Sequence, residues 1–456
     1  MENNNDNSNE QNNFEENEEK EEIKNNNENL TETDYNQIEV ENMILKIFEE
    51  HGFSTSTSEL FSGKASYFNS IHYKYAYNEI IHLSSDYFSL MSGFPWICFW
   101  ILNILEFSKE KDFDMNLDLK LKFVDVLKEL QNPEGGFYGF VKGSSHLIST
   151  YAAVMSVANL AIPEAYDLID RKKLKEFLLK MKNNDVEFKQ PETFLDKNNK
   201  FLIHHKDNNN NCSKFFTANP GSFENHFNGE SDLRSIYCAL TSAYILNIID
   251  EDLTKNVVEY IKECQTYEGG FGPEPFCEAH GGYSYCAIAS LILLNALDKI
   301  DLDAFLRWLS MRQMTKEGGF NGRTNKLVDS CYSFWQGSIF SMLKMGDKKF
   351  SFDDELLYDQ LSLQAYILFC CQEKNGGIKD KPGKYPDLFH TNYASSGLIL
   401  SMECLVDHCK VALSNELEKE LGDKKHNPIF NLEDEKVQKC LKYFKLKDND
   451  NNKGEK

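Results

Sequence analysis

The sequence predicts an all-α fold built from helix pairs. An amphipathic stretch ending in glutamine and a glycine pair recurs, helical apolar spacing runs through every copy, and small residues follow at a fixed distance. Four copies read LKELQNPEGGF, IKECQTYEGGF, LSMRQMTKEGGF and LFCCQEKNGGI, with second glycines Gly136, Gly270, Gly319 and Gly377. A fifth, degraded copy ends at Met181-Lys182 and resumes at PGSF, and the Asn-rich residues 183–218 between its parts read as a low-complexity surface insertion. Glycine supplies the left-handed or tight conformation that ends a helix, so each copy reads as helix, turn, helix. Repeats of about 50 residues made of helix pairs stack into a solenoid or close into a ring of inner and outer helices.

Ten residues past the second glycine, or past Ser222 in the degraded copy, stand His146, Asp232, His280, Asp329 and Asp387. Five residues later come Tyr151, Tyr237, Tyr285 and Phe334, and six later in the last copy comes Tyr393, with small residues (AAV, CAL, CAI, ASS) following most of them. A polar group at the entry of such a helix suits an inner helix whose start faces a cavity rim, with all five rims at one end. For Asp232 and Asp387 a plain N-cap explains the residue equally well. For the histidines that explanation is weaker, because His is a poorer cap.

The balance of 49 basic against 72 acidic residues gives a net charge of −23, which argues against a nucleic-acid surface. Residues 1–42 read as a disordered Asn/Glu-rich tail, since the first 40 carry 13 acidic residues, 2 Lys and 13 Asn with almost nothing to form a core. Residues 421–456 read as a charged C-terminal tail, which leaves 43–420 for the repeat domain. No apolar run approaches the roughly 18 residues of a membrane span and no signal segment opens the chain, so a soluble, cytoplasmic protein is expected. The twelve cysteines, several inside apolar stretches, fit reduced core thiols.

The densest chemical signal is GGFNGRTNKLVDSCYSFW, which supplies Arg323, Lys326, Asp329, Cys331, Tyr332 and Trp335. Asp329 and Cys331, two apart, share no face of a regular helix but converge where a loop enters one. With His390 of PGKYPDLFHTNY they offer oxygen, sulfur and nitrogen donors acceptable to Zn²⁺, leaving one position open. D-x-C with a distant His is by itself a weak metal motif, because a lone Cys on a helix is mostly core. Arg323, Lys326, His280 and the Tyr332 phenol are donors suited to a diphosphate. Trp96, Trp100, Tyr237, Tyr283, Trp335 and Tyr393 recur at rim or inner-helix positions and suggest an aromatic-lined cavity; ordinary aromatic core is the competing explanation.

With EAHGGYSYC, GRTNKLVDSCYSFWQ and DKPGK followed by FHTNY, the sequence resembles the β subunits of protein prenyltransferases over nearly all of residues 70–410, and the farnesyltransferase branch most. The resemblance implies an α/α barrel, or toroid, that forms an obligate heterodimer with a helical-repeat α subunit and acts on farnesyl diphosphate and C-a-a-X proteins. It implies zinc ligands at Asp329, Cys331 and His390, and diphosphate groups at His280, Arg323, Lys326 and Tyr332. It implies an isoprenoid lining of Trp96, Arg234, Tyr237, Tyr283, Cys286, Trp335 and Tyr393. The peptide contacts it implies are Trp100, His146, Ile148, Glu230, Arg234 and Phe389. Asp380 would help to place a Mg²⁺ at the diphosphate.

Within the family, bulky Trp96 and Tyr393 shorten the isoprenoid pocket, and Asp380 stands where the type I geranylgeranyl enzymes carry lysine. All three point to farnesyl, with the geranylgeranyl enzyme as the alternative. Phe389 stands where farnesyl enzymes usually carry tyrosine, and Ile148 is larger than the small residue expected beside His146. A terpene cyclase would need a D-x-D-D-like acid cluster, which neither DFD at 112–114 nor DDE at 353–355 extends to. A non-catalytic repeat protein would leave the metal and anion residues without a common purpose.

Overall fold

The computed structural model describes residues 30–60, 65–109, 115–183, 194–195, 201–202, 220–346, 357–403 and 425–454. Six outer helices alternate with six inner ones. The outer set is Asn69–Ile81, Leu117–Leu130, Arg171–Met181, Val257–Glu263, Leu302–Ser310 and Gln360–Ala365, the last running into a π-helical turn, Tyr366–Cys371. The inner set is Phe94–Ser108, Leu147–Leu160, Leu233–Ile245, Gly281–Leu293, the pair Tyr332–Trp335 and Gly337–Gly346, and Leu388–Glu403. Each inner helix packs on the next and the last packs on the first, so the ring option, an α/α toroid, is the one realised. The sequence showed five repeat signatures. The sixth helix pair, Asn69–Ile81 with Phe94–Ser108, is joined without a Gly-Gly turn and so escaped that count.

The repeated glutamine and glycine are explained by how one repeat seats on the next. Gln265 Nε2 donates to Asp301 O (2.8 Å) and its Oε1 accepts from Asp301 N (3.0 Å), gripping the N-cap of the following outer helix. Gln313 does the same at Asp359, with both distances near 2.7–2.8 Å. Gln372 reaches back to the first repeat, donating to Ser66 O and accepting from Phe68 N, both at 2.9 Å, so the same contact closes the ring. In the degraded copy Lys182 takes the glutamine's place and its Nζ donates to Leu253 O and Lys255 O. The first glycine of each pair lies against the next outer helix. A Cβ on Gly269, at φ +104°, would sit 2.2 Å from Ala304 O, and one on Gly135 would sit 2.3 Å from Lys173 O. No side chain fits there, whatever its backbone preference.

Inner helices are apolar all round because they bury two faces, one on the ring and one on the axis. Along the axis runs a layer of aromatics one to two turns below the rim: Tyr151, Tyr237, Tyr285, Phe334 and Tyr393, neighbouring centroids 5.1–5.4 Å apart in the four successive pairs from Tyr151 to Tyr393. These are the residues that follow the rim positions by five or six, so the count identified a structural layer.

The C-terminal region differs from the expected charged tail. Strands His426–Asn427 and Leu432–Glu433 pair as a hairpin whose tip buries Ile429 and Phe430 under the aromatic layer. Tyr237 Oη donates to Ile429 O (2.7 Å) and Tyr285 Oη to Pro428 O (2.9 Å), so the hairpin floors the barrel at the end away from the inner-helix N-termini. Helix Asp434–Gly454 then packs outside, burying Cys440 and Phe444, with Lys436 Nζ bonded to Glu106 Oε2 (2.6 Å) and Asn159 Oδ1 (2.7 Å) in the interior. The alternation of charge along this segment hid its one buried stripe.

The N-terminal boundary also moves. A capping box at Thr31 and Asp34 starts the helix Glu32–Glu50, which crosses the expected limit at residue 42 and buries Val40, Ile44 and Phe48. The expectation for residues 1–29, and for most of 183–218, falls outside the described residues. The nine described cysteines are unpaired, eight of them buried. Contrary to the sequence expectation, the run Ser85–Ser108 is long and apolar enough by composition to cross a membrane; its helical part, Phe94–Ser108, is an inner helix of the ring.

Candidate active site

The open rim is set by helix N-termini. His146, Asp232 and His280 cap their inner helices, and Asp329 and Asp387 accept from backbone N–H groups two and three residues ahead. The histidines are therefore caps as well, against the expectation that imidazole would be a poor one. Capping fixes His280: the Gly282 N–H donates to its Nδ1 (3.1 Å), which leaves the ring proton on Nε2, 3.1 Å from Tyr332 Oη. Burial, with the Arg323 guanidinium nearby, holds the His280 pKa below the ordinary imidazole value. A neutral imidazole that donates to the Tyr332 oxygen leaves the phenol's own O–H directed elsewhere.

A cavity of about 560 Å³ opens beside this pair, lined among others by Arg234, Tyr283, Cys286, Arg323, Trp335 and Phe389, with Cys331, His280 and Tyr332 in the same wall. It combines one apolar side with a cationic one, within the size range of ligand sites. Arg323 pairs with Glu278 at its edge, and Arg234 pairs with Asp232 (2.6 Å) while lying 5.6 Å from the Tyr283 ring centroid. Glu278 was passed over in the sequence although it lies inside EAHGGYSYC.

Asp329, Cys331 and His390 converge as expected: one ligand atom from each lies within 4.8 Å of the others, and His390 Nε2 is 3.4 Å from Asp329 Oδ1. The donor chemistry fits a divalent metal such as zinc. Burial and the Asp329 carboxylate push the Cys331 thiol well up, so without a cation the site keeps a neutral thiol. Burial alone would lower His390, but bonds to Asp329 and Asp387 raise it to about 10, so the imidazole carries the positive charge that the two carboxylates demand. Asp387 holds the His390 ring from behind, a role its rim position did not announce.

The remaining residues divide. Lys326 is exposed on the turn that carries Arg323. Asp380 bonds Lys381, and its Oδ1 is buried without a hydrogen-bond partner among the described residues; burial and Asp329 raise its pKa. Trp96, Tyr237 and Tyr393 do not line the cavity. Tyr237 and Tyr393 belong to the aromatic layer behind it, Tyr393 lying 4.3 Å from Trp335 centroid to centroid, while the partly buried Trp96 packs 5.5 Å from Tyr151. Trp100 packs 5.6 Å from Phe389. His146 and Glu230 gather at another part of the rim around His226, which is 5.6 Å from His146 ring to ring and 3.8 Å from Glu230; Ile148 is His146's capping partner.

The prenyltransferase α-α toroid domain family matches residues 68–432. Relatives named protein farnesyltransferase subunit beta include that of Pisum sativum, 34% identical over 67% of this chain and 77% of its own length. That of Schizosaccharomyces pombe is 33% identical over 76% of this chain and 81% of its own length. The chain belongs to the protein farnesyltransferase β-subunit family.

A shorter match, 38% identical over 39% of this chain and 48% of its own length, is to a geranylgeranyl transferase type-1 subunit beta of Arabidopsis thaliana. Among solved structures, the Candida albicans protein geranylgeranyltransferase-I complexed with GGPP covers 82% of this chain and 98% of its own at 25% identity and a TM-score of 0.60. As a prenyltransferase β subunit this chain is one part of an enzyme that has a partner subunit. The matched residues end within the floor hairpin, and the helix Asp434–Gly454 follows them.

Proposed function

We propose that this β subunit, with its α subunit, transfers farnesyl from farnesyl diphosphate to the cysteine thiol of a C-terminal C-a-a-X sequence. The observation that carries the proposal is the shared cavity wall: Cys331 of the metal-ligand set and the anion donors His280, Arg323 and Tyr332 face one space whose other side is apolar. A sulfur nucleophile, a diphosphate and a hydrocarbon chain can meet only where those three surfaces meet.

Zinc held by Asp329, Cys331 and His390 would supply the positive charge that keeps a substrate thiol ionised at neutral pH. The chain's own residues do the rest. The sulfur attacks C1 of the farnesyl group, the S–C bond forms as the C–O bond to diphosphate breaks, and the thiol proton leaves to solvent. Negative charge grows on the departing oxygen, and His280 with Tyr332, Arg323 and the exposed Lys326 stabilise it more than the ground state. Mg²⁺ near the buried, unpartnered Asp380 Oδ1 would add to that stabilisation. Tyr283, Cys286, Trp335 and Phe389 exclude water from the isoprenoid, while His146, Glu230 and Arg234 suit the peptide's end.

Farnesyl is favoured over geranylgeranyl because bulky Tyr393, against Trp335, and Trp96, packed on Trp100 and Tyr151, take up room that a longer chain would need. The unpaired, buried cysteines suit a reducing cytoplasmic compartment. The deciding experiment co-expresses the chain with candidate α subunits and measures transfer of labelled farnesyl to a C-a-a-X peptide and to its Cys→Ser counterpart. Transfer only to the cysteine peptide supports the reading. Faster use of geranylgeranyl diphosphate would move the chain to the other branch.

A further inference from the structure

We propose that Arg312 is a positioning residue for the diphosphate, acting through Thr324 to fix the turn Gly322–Leu327 that presents Arg323 and Lys326. The inference rests on the function proposed above. Arg312 follows the outer helix Leu302–Ser310 and is only 7% exposed. Among the described residues it has no carboxylate within ion-pair distance; its guanidinium lies 5.4 Å from the Trp308 ring centroid, and its buried Nε has no hydrogen-bond partner. A buried charge with no directly paired carboxylate, Glu268 acting on it only from beyond Thr324, costs stability, and hydrophobic packing would fill the same space better. Among the described residues its one side-chain hydrogen bond goes to Thr324, in the turn that carries Arg323 and Lys326.

That contact is Arg312 Nη1 donating to Thr324 Oγ1 at 3.1 Å, and Thr324 Oγ1 donates in turn to Glu268 Oε2 at 3.1 Å. Glu268 belongs to the preceding repeat's Gly-Gly turn, so the exposed Thr324 is held between two repeats. On the inner side the Gly281 N–H donates to Gly322 O (2.8 Å), tying the turn to the helix that His280 caps, and Asn321 Nδ2 donates to Lys326 O (3.2 Å). Asn325 sits in the left-handed region at φ 59°, a bend that needs such fixing. The turn is thus clamped on both faces while it presents Arg323 to the cavity and leaves Lys326 exposed, so less order has to be imposed when a polyanion binds.

The test uses the complete heterodimer and reads diphosphate recognition separately from stability. Thr324→Val removes the link at an exposed position, and Thr324→Ser restores the hydroxyl. In Thr324→Val the Kd for inorganic diphosphate and the KM for farnesyl diphosphate should rise roughly five- to ten-fold. The peptide KM, zinc content and thermal midpoint should stay at wild-type values, and Thr324→Ser should recover most of the affinity. Arg312→Met should move the same two constants further in the same direction, whatever it does to stability. Wild-type diphosphate affinity in Thr324→Val would overturn the inference and leave the functional reading standing. Failure of the wild-type heterodimer to bind diphosphate would instead sink that reading and this inference with it.

Discussion

Asp387 holds His390 twice: its Oδ2 lies 2.6 Å from the imidazole Nδ1, and its Oδ1 accepts the His390 backbone N–H at 2.7 Å. The ring's orientation is therefore set before any metal arrives, with Nε2 presented toward Asp329. Such carboxylate–histidine pairs raise ligand basicity, and losing them typically weakens metal binding ~10–100-fold. Asp387→Asn should weaken zinc affinity by that order in a competition titration against a chromophoric chelator. Unchanged affinity would reduce Asp387 to a helix cap.

Removing the metal should separate the two halves of the site. Cys331→Ala should lose about one zinc per chain by elemental analysis and abolish transfer, because the thiol would supply one of the three candidate donors gathered among the described residues. Farnesyl diphosphate should still bind, since His280, Arg323 and Tyr332 are separate side chains held by their own contacts. A zinc-free heterodimer with full activity would refute the metal assignment.

Tyr332→Phe deletes one anion donor without opening a cavity. The His280 Nε2–H would lose its acceptor, yet the His280 cap on Gly282 should hold the ring in place. Single-turnover transfer should slow by on the order of 100-fold, while the Kd for farnesyl diphosphate changes little. If Kd rises as much as the rate falls, the phenol acts in ground-state binding and the transition-state role is wrong.

Lipid length should answer to Trp96. The partly buried indole packs against Tyr151 and Trp100, and Trp96→Thr replaces it with a side chain several carbons smaller. Relative use of geranylgeranyl over farnesyl diphosphate should rise by roughly 10–100-fold, the range a few methylenes can command in an apolar pocket. Retained farnesyl preference would transfer the length-setting role to Tyr393 and Trp335.

Much of this geometry could be read from spacing. At each rim the ten-residue count landed on a side chain that accepts a backbone N–H, because rim and glycine turn are covalently close, and the candidate metal triad needed only a loop-to-helix junction and one partner from the next repeat. Contacts between repeats were less legible. The hairpin at residues 426–433 lies in a stretch with ordinary charge content, and its burial depends on Tyr237 and Tyr285, nearly 150 to 200 residues earlier in the chain. The hold of Asp387 on His390, and Arg312 altogether, were likewise missed because these roles depend on what stands beside the residues in three dimensions. Even the glutamine of the repeat was recognised only as a pattern; its function as the clip between repeats appears in the contacts of Gln265, Gln313 and Gln372.

The seam where that clip closes the ring should be sensitive to acid. His72 of the first outer helix is fully buried, accepts the Gly377 N–H at Nδ1 (3.0 Å) and donates from Nε2 to Gln372 Oε1 (2.9 Å), so both nitrogens are satisfied only in the neutral form. Burial, partly offset by the Gln372 bond, lowers its pKa from 6.5 to about 4. Between those values the unfolded chain takes up a proton that the folded ring refuses. The contribution is therefore complete above about pH 6.5 and falls with pH by ~1.4 kcal/mol per unit, reaching roughly 2 kcal/mol lost at pH 5. His426 in the floor hairpin, lowered by burial to about 4 as well, adds a second loss of the same sign. The thermal midpoint of the heterodimer should drop between pH 7.5 and pH 5, and His72→Gln, though less stable at pH 7.5, should show a shallower decline. An equal decline in wild type and variant would place the acid sensitivity elsewhere than at the ring's closing contact.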